Sequence, residues 1–189
     1  MDRLTALLDA NVLYPASIRD VLLRLAGQYL YKPLWSADIN EEWIRNLLED
    51  RPGLPVDKVD RIRVIMDEHF PNAAVNGYQS LIEKIDLPDP DDRHVLAAAI
   101  HGQADVIVTL NLRDFPADRL APYALEARHP DTFIAGLFDS RPGAVLAAVR
   151  GHRAALKNPP RSPDEYLLAL ESTGLVQTAS VLQEYRDVI

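Results

Sequence analysis

A chain of 189 residues, 48% hydrophobic and 25% charged, has the apolar content for one folded domain with a short appendage and is excluded from the disordered class. It has no apolar run long enough to span a bilayer and no secretory-signal pattern. Its lack of cysteine rules out disulfides and thiolate metal sites, so the expectation is a cytoplasmic protein with no membrane partner. The net charge of −8 speaks against a wholly basic, polyanion-binding surface, but the charge is unevenly spread. Residues 1–140 carry 14 Lys/Arg against 23 Asp/Glu, whereas Arg141, Arg150, His152, Arg153, Lys157 and Arg161 lie in a stretch without an acid. That stretch is either a solvated helix face or a grip for a polyanion or acidic partner.

Leu4–Leu8 is a short apolar run ending at Asp9 and predicts a buried, parallel strand. Ser17 is the expected cap of a helix with Val21, Leu22, Leu25 and Tyr29 at helical spacing. A second short strand is expected between Tyr31 and Leu34. Ser36 then caps a helix with an inner stripe of Ile39, Trp43, Leu47 and Leu48, ended by Pro52-Gly53. Residues 56–70 form a further helix carrying Val59, Ile62, Ile65, Met66 and Phe70, and another is expected around residues 78–85. Asp89-Pro90-Asp91-Asp92 reads as a helix start, with Asp at the cap and Pro in the first position. That helix runs through residues 95–100 and stops near Gly102. Residues 105–110 are a second clear strand, rich in β-branched side chains, and residues 125–127 fit a third.

Beyond Pro130 the pattern is helical only. Helices are expected over residues 130–138 and 142–156, followed by a break at Asn158-Pro159-Pro160. Ser162-Pro163-Asp164-Glu165 combines a capping box with Pro at the first helical position. Helices over residues 167–171 and 176–185 complete the chain. Alternating helices and buried strands predict a small parallel α/β sheet, with a main boundary near residue 140 that separates residues 1–140 from a helical extension over 141–189.

The chain offers no phosphate-binding glycine loop, nucleophile elbow or His-Glu-x-x-His pattern. Its histidines, among them His94 and His101 seven apart on one helix, read best as surface or core residues. Carboxylates remain. Asp9 stands at the carboxyl end of the first strand, where parallel α/β sheets place their ligand sites; it is there either as a cap or turn residue or as part of a site. Thr109, Asn111 and Asp114 follow the second clear strand and fall where the facing wall of the same crevice belongs. A first-turn carboxylate is favoured by the helix dipole, but Asp89, Asp91 and Asp92 together repel one another unless a cation intervenes. Glu42 edges the apolar face of its helix.

The ordered set Leu7-Leu8-Asp9-Ala10-Asn11, Trp35-Ser36 through Glu42-Trp43, Leu87-Pro88-Asp89-Pro90-Asp91-Asp92 with its Val-Leu-Ala-Ala-Ala run, and Val108-Thr109-Leu110-Asn111-Leu112-Arg113-Asp114 resembles a PIN domain, in particular the VapC-like toxins of bacterial toxin–antitoxin pairs. The resemblance covers about residues 3–135. It implies a three-layer α/β/α sandwich around a small central parallel sheet, with C-terminal helices added in this chain. It further implies an endoribonuclease whose three or four acids bind Mg²⁺ or Mn²⁺. By position, Asp9, Glu42, Asp92 and Asp114 are the expected catalytic acids, with the metal on Asp9, Asp92 and Asp114. Asn11, Asp89, Thr109 and Asn111 are accessory. The usual fourth position holds Asn111 where an Asp is common, and Asp114 comes three residues later, so either can fill it.

Because an acidic cleft cannot hold RNA by charge alone, Arg113, Arg150 and Arg153 are the expected phosphate contacts. The resemblance also implies homodimers and inhibition by a small antitoxin. A catalytically silent PIN-like module that binds only a protein partner is the rival expectation. A phosphoryl-transfer domain with Asp9 as nucleophile is disfavoured, because Asn11 and Leu13 replace the second Asp and the Thr of its motif. A DNA-directed flap nuclease is usually longer.

Overall fold

In the computed structural model, which describes residues 3–189, Ala6, Leu7 and Leu8 are fully buried at the centre of a five-stranded parallel sheet. In chain order the elements are β1 (Thr5–Leu8), α1 (Ala10–Leu13), α2 (Ala16–Gly27), β2 (Lys32–Ser36), α3 (Ala37–Asp50), α4 (Val56–His69), β3 (Ala74–Val75), α5 (Gln79–Ile82), α6 (Arg93–His101), β4 (Val106–Val108), α7 (Ala117–Leu120), β5 (Glu126–Arg128), α8 (Pro130–Ser140), α9 (Pro142–Ala155), α10 (Pro163–Ser172) and α11 (Val176–Gln183). The expected α/β class, small parallel sheet and C-terminal helices are all present.

The chain divides into two compact units, one built from residues 4–14 and 32–128, the other from 15–31 and 129–189. The first unit holds the whole sheet, in the order β3-β2-β1-β4-β5. The chain leaves β1 toward β2 and β3, then returns to β1's other side with β4, so the strand order reverses between β1 and β4. Such a switch point opens a crevice outside the carboxyl ends of the strands. Leu8 pairs with Val108 in register, which puts Asp9 and Thr109, the next residue on each strand, side by side at the crevice.

Two helices bring the remaining acids there. Ser36 caps α3 as expected, its hydroxyl accepting from the Ile39 amide at 3.2 Å. Ile39, Trp43 and Leu47 are buried on its inner stripe; Leu48 is only half-buried. The Trp43 indole N–H donates to the Asn40 amide oxygen at 2.9 Å, so this large ring is buried without an orphan donor. Helix α6 packs against β1, β2 and β4 through Val95–Ala99, all buried; small alanines let it lie close to the sheet. Its end needs Gly102, because a Cβ there would sit 2.8 Å from Leu34 and 2.9 Å from Val75.

Several local expectations change. Ser17 does not cap α2: the cap position is Pro15, whose carbonyl accepts from the Arg19 amide, and Ser17 lies inside the first turn. Asp89 does cap a turn, accepting from the Asp91 amide, but Pro90–Asp92 form a 3₁₀ turn and α6 starts at Arg93. Ile65 is exposed on α4, while Val59 and Met66 are buried. Strand β3, α7 and a 3₁₀ turn at Leu112–Asp114 were not expected, since segments of two to four residues carry no readable period.

The second unit is helical. Within it α2 packs on α9, and α11 on α8 and α10. The Tyr31 hydroxyl donates to the Leu22 carbonyl at 2.9 Å, and its ring meets Phe133 edge-on at 5.0 Å. The predicted capping box is formed: the Ser162 hydroxyl accepts from the Glu165 amide and the Glu165 carboxylate accepts from the Ser162 amide. Helix α10 closes on Gly174 at φ +88°, a left-handed position that suits glycine.

Asp131, on α8, accepts from the amides of Gln177 and Thr178 at 2.8 and 2.7 Å. Its carboxylate therefore satisfies the orphan amides of α11's first turn, where the helix dipole favours an anion. Asp131→Ala leaves those amides unpaired and is expected to lower unfolding free energy by about 1–3 kcal/mol. Urea denaturation measures it, and an unchanged midpoint would show that water replaces the carboxylate at no cost. No helix among the described residues is long and apolar enough to cross a membrane.

Candidate active site

Asp9 ends β1 and is 2% exposed. One carboxylate oxygen accepts from the Ala10 amide at 2.7 Å, capping α1. The other accepts from the Asn11 side-chain amide at 2.6 Å and from the Thr109 hydroxyl at 2.7 Å. The cap and site readings of Asp9 are thus compatible, one for each oxygen. Asn11 also accepts from the Leu110 amide at 2.9 Å, so it ties the loop after β1 to the loop after β4. Burial pushes the Asp9 carboxyl up to about 6; the Thr109 hydrogen bond opposes this, and the charge of Glu42 adds to it.

Asp89, Asp92 and Asp114 bring carboxylate oxygens within 4.8 Å of one another. Asp89 stands before the 3₁₀ turn that Asp92 ends, and Asp114 ends the turn after β4. The Asn111 side-chain amide donates to the Asp114 carboxylate in a very short contact. Asp92 is half-buried and its carboxyl is pushed up to about 7, by burial first and then by the charges of Asp9, Asp114, Asp89 and Glu42. All the expected acids therefore act on a single group. Asp89, expected as accessory, lies in the close cluster with Asp92 and Asp114, whereas Asp9 bears on Asp92 through its charge.

Three carboxylates this close, with no nitrogen or sulfur donor among them, match the ligand preference of a hard divalent ion such as Mg²⁺ or Mn²⁺. Burial first, and then the charges of four neighbouring acids, disfavour the charged form of Asp92, and a bound cation would offset both. On chemistry and charge the residues fit such an ion.

The sequence matches the PIN domain family over residues 5–113. The chain belongs to the PIN-domain family. Residues 130–184 match a second family, described as the VapC50 C-terminal domain. A curated relative from Mycobacterium tuberculosis (strain ATCC 25618 / H37Rv), named "Putative ribonuclease VapC50", is 44% identical over 94 residues, covering 50% of this chain and 55% of the relative. The chain thus spans about half the length of the curated relative it matches. No solved structure matches it.

The acids have a neighbour, His94, that in the sequence looks like a core or surface residue. His94, on the first turn of α6, places its Nε2 3.3 Å from the Glu42 carboxylate. Burial works against its charged form, but the hydrogen bond and charge of Glu42, with Asp38 and Asp9, raise its pKa overall. Only its place two residues after Asp92 marked it in the sequence. His101 is exposed at the far end of the same helix.

Arg113 is exposed on the turn that ends in Asp114. Arg150 is exposed on α9. Arg153, in the same helix, already donates to the Ile189 carbonyl at 3.0 Å and the Arg161 carbonyl at 2.8 Å. A cavity of about 820 Å³ runs beside α3 and α4 past Trp35, Asn40, Ile44 and Leu48, and none of the site acids lines it. Arg63 there is paired with Asp60 and Asp67, so its wall offers structure more than chemistry.

Proposed function

We propose that this PIN-domain chain is a metal-dependent endoribonuclease, the toxin of a type II toxin–antitoxin pair acting in the cytoplasm. One observation carries the reading: Asp89, Asp92 and Asp114, from the turn before α6 and the loop after β4, bring carboxylate oxygens within 4.8 Å of one another, and the charges of Asp9 and Glu42 bear on the same Asp92 carboxyl. The relative's name and the match of residues 130–184 to a VapC50 C-terminal domain support it.

Asp92, Asp114 and Asp89 would hold Mg²⁺ or Mn²⁺, with Asp9 beside them. When bound, the ion supplies Lewis-acid chemistry, acidifying water and offsetting charge on the scissile phosphate. The chain's own residues do the rest. Asp9 is held rigid by Ala10, Asn11 and Thr109, so its oxygens need no reorganisation during the reaction. Asn111 aims Asp114. Glu42 positions the attacking water and takes its proton, and Arg113 contacts a substrate phosphate. Arg150 and Arg153 are proposed to follow the RNA backbone from the helical extension over 141–189, the nuclease body being residues 1–140. A homodimer and a small antitoxin complete the proposal.

The test is cleavage of an end-labelled structured RNA by the purified chain. Mn²⁺ is expected to support cleavage and chelation to abolish it. Binding of Mn²⁺ without cleavage of any RNA tried would overturn the nuclease reading in favour of the silent PIN-like module.

A further inference from the structure

We infer that His94 is the positioning residue for Glu42, fixing that carboxylate toward the acidic cleft from a different helix; the inference rests on the nuclease reading above. Asp9 accepts from Ala10, Asn11 and Thr109, Asp89 from the Asp91 amide, and Asp114 from Asn111. Glu42 instead meets His94 across from α3 to α6, with the His94 side chain 16% and the Glu42 side chain 32% exposed. A glutamate has three rotatable bonds, and Glu42 faces repulsion from Asp9 and Asp92, whose carboxyls its charge helps to raise. Released, it would turn to water, where solvation and charge both favour it. The imidazole holds it against that tendency.

His94 Nδ1 is buried with no hydrogen-bond partner among the described residues. Nε2 meets the Glu42 carboxylate, so this is the ring's one protein hydrogen bond among the described residues. The contact with Glu42 is thus the one that places the ring. Because His94 lies two residues after Asp92 on a rigid helical start, the same turn that presents Asp92 also fixes the distance from it to Glu42.

The experiment is a double-mutant cycle on the full chain, read in RNA cleavage and, separately, in Mn²⁺ affinity by electron paramagnetic resonance. His94→Ala is expected to lower kcat about 10–100-fold with KM within about 2-fold, because positioning acts at the transition state. His94→Gln carries an amide nitrogen near the Nε2 position and is expected to recover to within about 3-fold of wild type. His94→Asn is too short to do so and stays near the Ala level. In a Glu42→Gln background, His94→Ala is expected to add nothing to either readout.

Additive losses in the cycle, or Gln no better than Asn, would overturn the inference. Should His94→Ala fail to fold, the Gln and Asn pair carries the same decision. If the wild-type chain cleaves no RNA, the nuclease reading fails, and the Mn²⁺ cycle then decides whether His94 acts through Glu42, whose charge bears on Asp9 and Asp92: His94→Ala is expected to shift Mn²⁺ affinity about 3-fold in wild type and not in Glu42→Gln, and no shift in wild type would overturn the inference.

Discussion

Asp9→Asn and Asp92→Asn are each expected to lower kcat/KM on RNA on the order of 10²–10³-fold, the scale on which a pre-placed electrostatic group is missed, while moving stability in opposite directions. Asp92 is held at about 7 by burial and by four neighbouring acids, so at pH 7.5 its charge opposes folding of the metal-free protein. An amide removes that charge at nearly constant shape. The variant is expected to be more stable than wild type without metal, by about 1–2 kcal/mol once solvent screening of a half-buried carboxylate is allowed for. Asp9 differs because three donors point at it. An Asn there turns one acceptor oxygen into a donor facing the Ala10 backbone amide or the Asn11 side-chain amide, and a buried mismatch of that kind costs about 1–3 kcal/mol. Thermal unfolding in chelator separates the two variants from each other, and cleavage in Mn²⁺ separates both from wild type. Full activity in both would remove the acidic group from the chemistry altogether.

How much of this was legible in the sequence depends on how far each cause acts along the chain. The Ser36 cap, the Ser162 capping box and the apolar run of β1 were readable because each device lies within a few residues of what it controls. Strand β3 was not, since Ala74 and Val75 acquire strand character only by pairing with Trp35 and Ser36. The place of α2 was equally hidden. Val21, Leu22 and Leu25 announce an inner face, but nothing local says that it packs with α9, in a unit whose other helices start only at Pro130.

The site divides in the same way. Order along the chain revealed the acids, and the carboxyl ends of β1 and β4 explained why Asp9 and Asp114 face one crevice. It does not reveal which acids lie nearest one another: a capping role is sufficient to explain Asp89 in the sequence, and only folding brings its carboxylate close to Asp92 and Asp114. His94 escaped because its partner lies on another helix and a lone histidine before an apolar run looks like packing. Counting charges puts Arg153 on the same footing as Arg150; what it cannot read is that Arg153 also donates to the carbonyls of Ile189 and Arg161, which leaves it fewer N–H groups for a phosphate.

The second large effect is on pH. Asp9 at about 6 and Asp92 at about 7 both stand above the ordinary carboxyl value of 3.8. Raised folded-state values mean that the metal-free protein binds extra protons between roughly pH 4 and 7. The stability these groups contribute is therefore fully present below about pH 3.8 and lost as pH rises through 6 and then 7. Metal-free wild type should lose stability relative to Asp92→Asn over that interval. A divalent ion competes for the same sites, so its affinity must run the other way.

Between pH 5.5 and 8, Mn²⁺ affinity should increase about 10²-fold, steeply at first and levelling above about pH 7. The two apparent values belong to the coupled group more than to either residue. Cleavage at subsaturating Mn²⁺ should follow the same curve, while saturating Mn²⁺ should move its midpoint to lower pH. Isothermal titration at several pH values, with proton release measured alongside, tests this directly. Affinity that stays flat over the interval would mean that the ion does not bind where Asp9 and Asp92 are protonated, and the carboxylate group would then lose its claim to the metal.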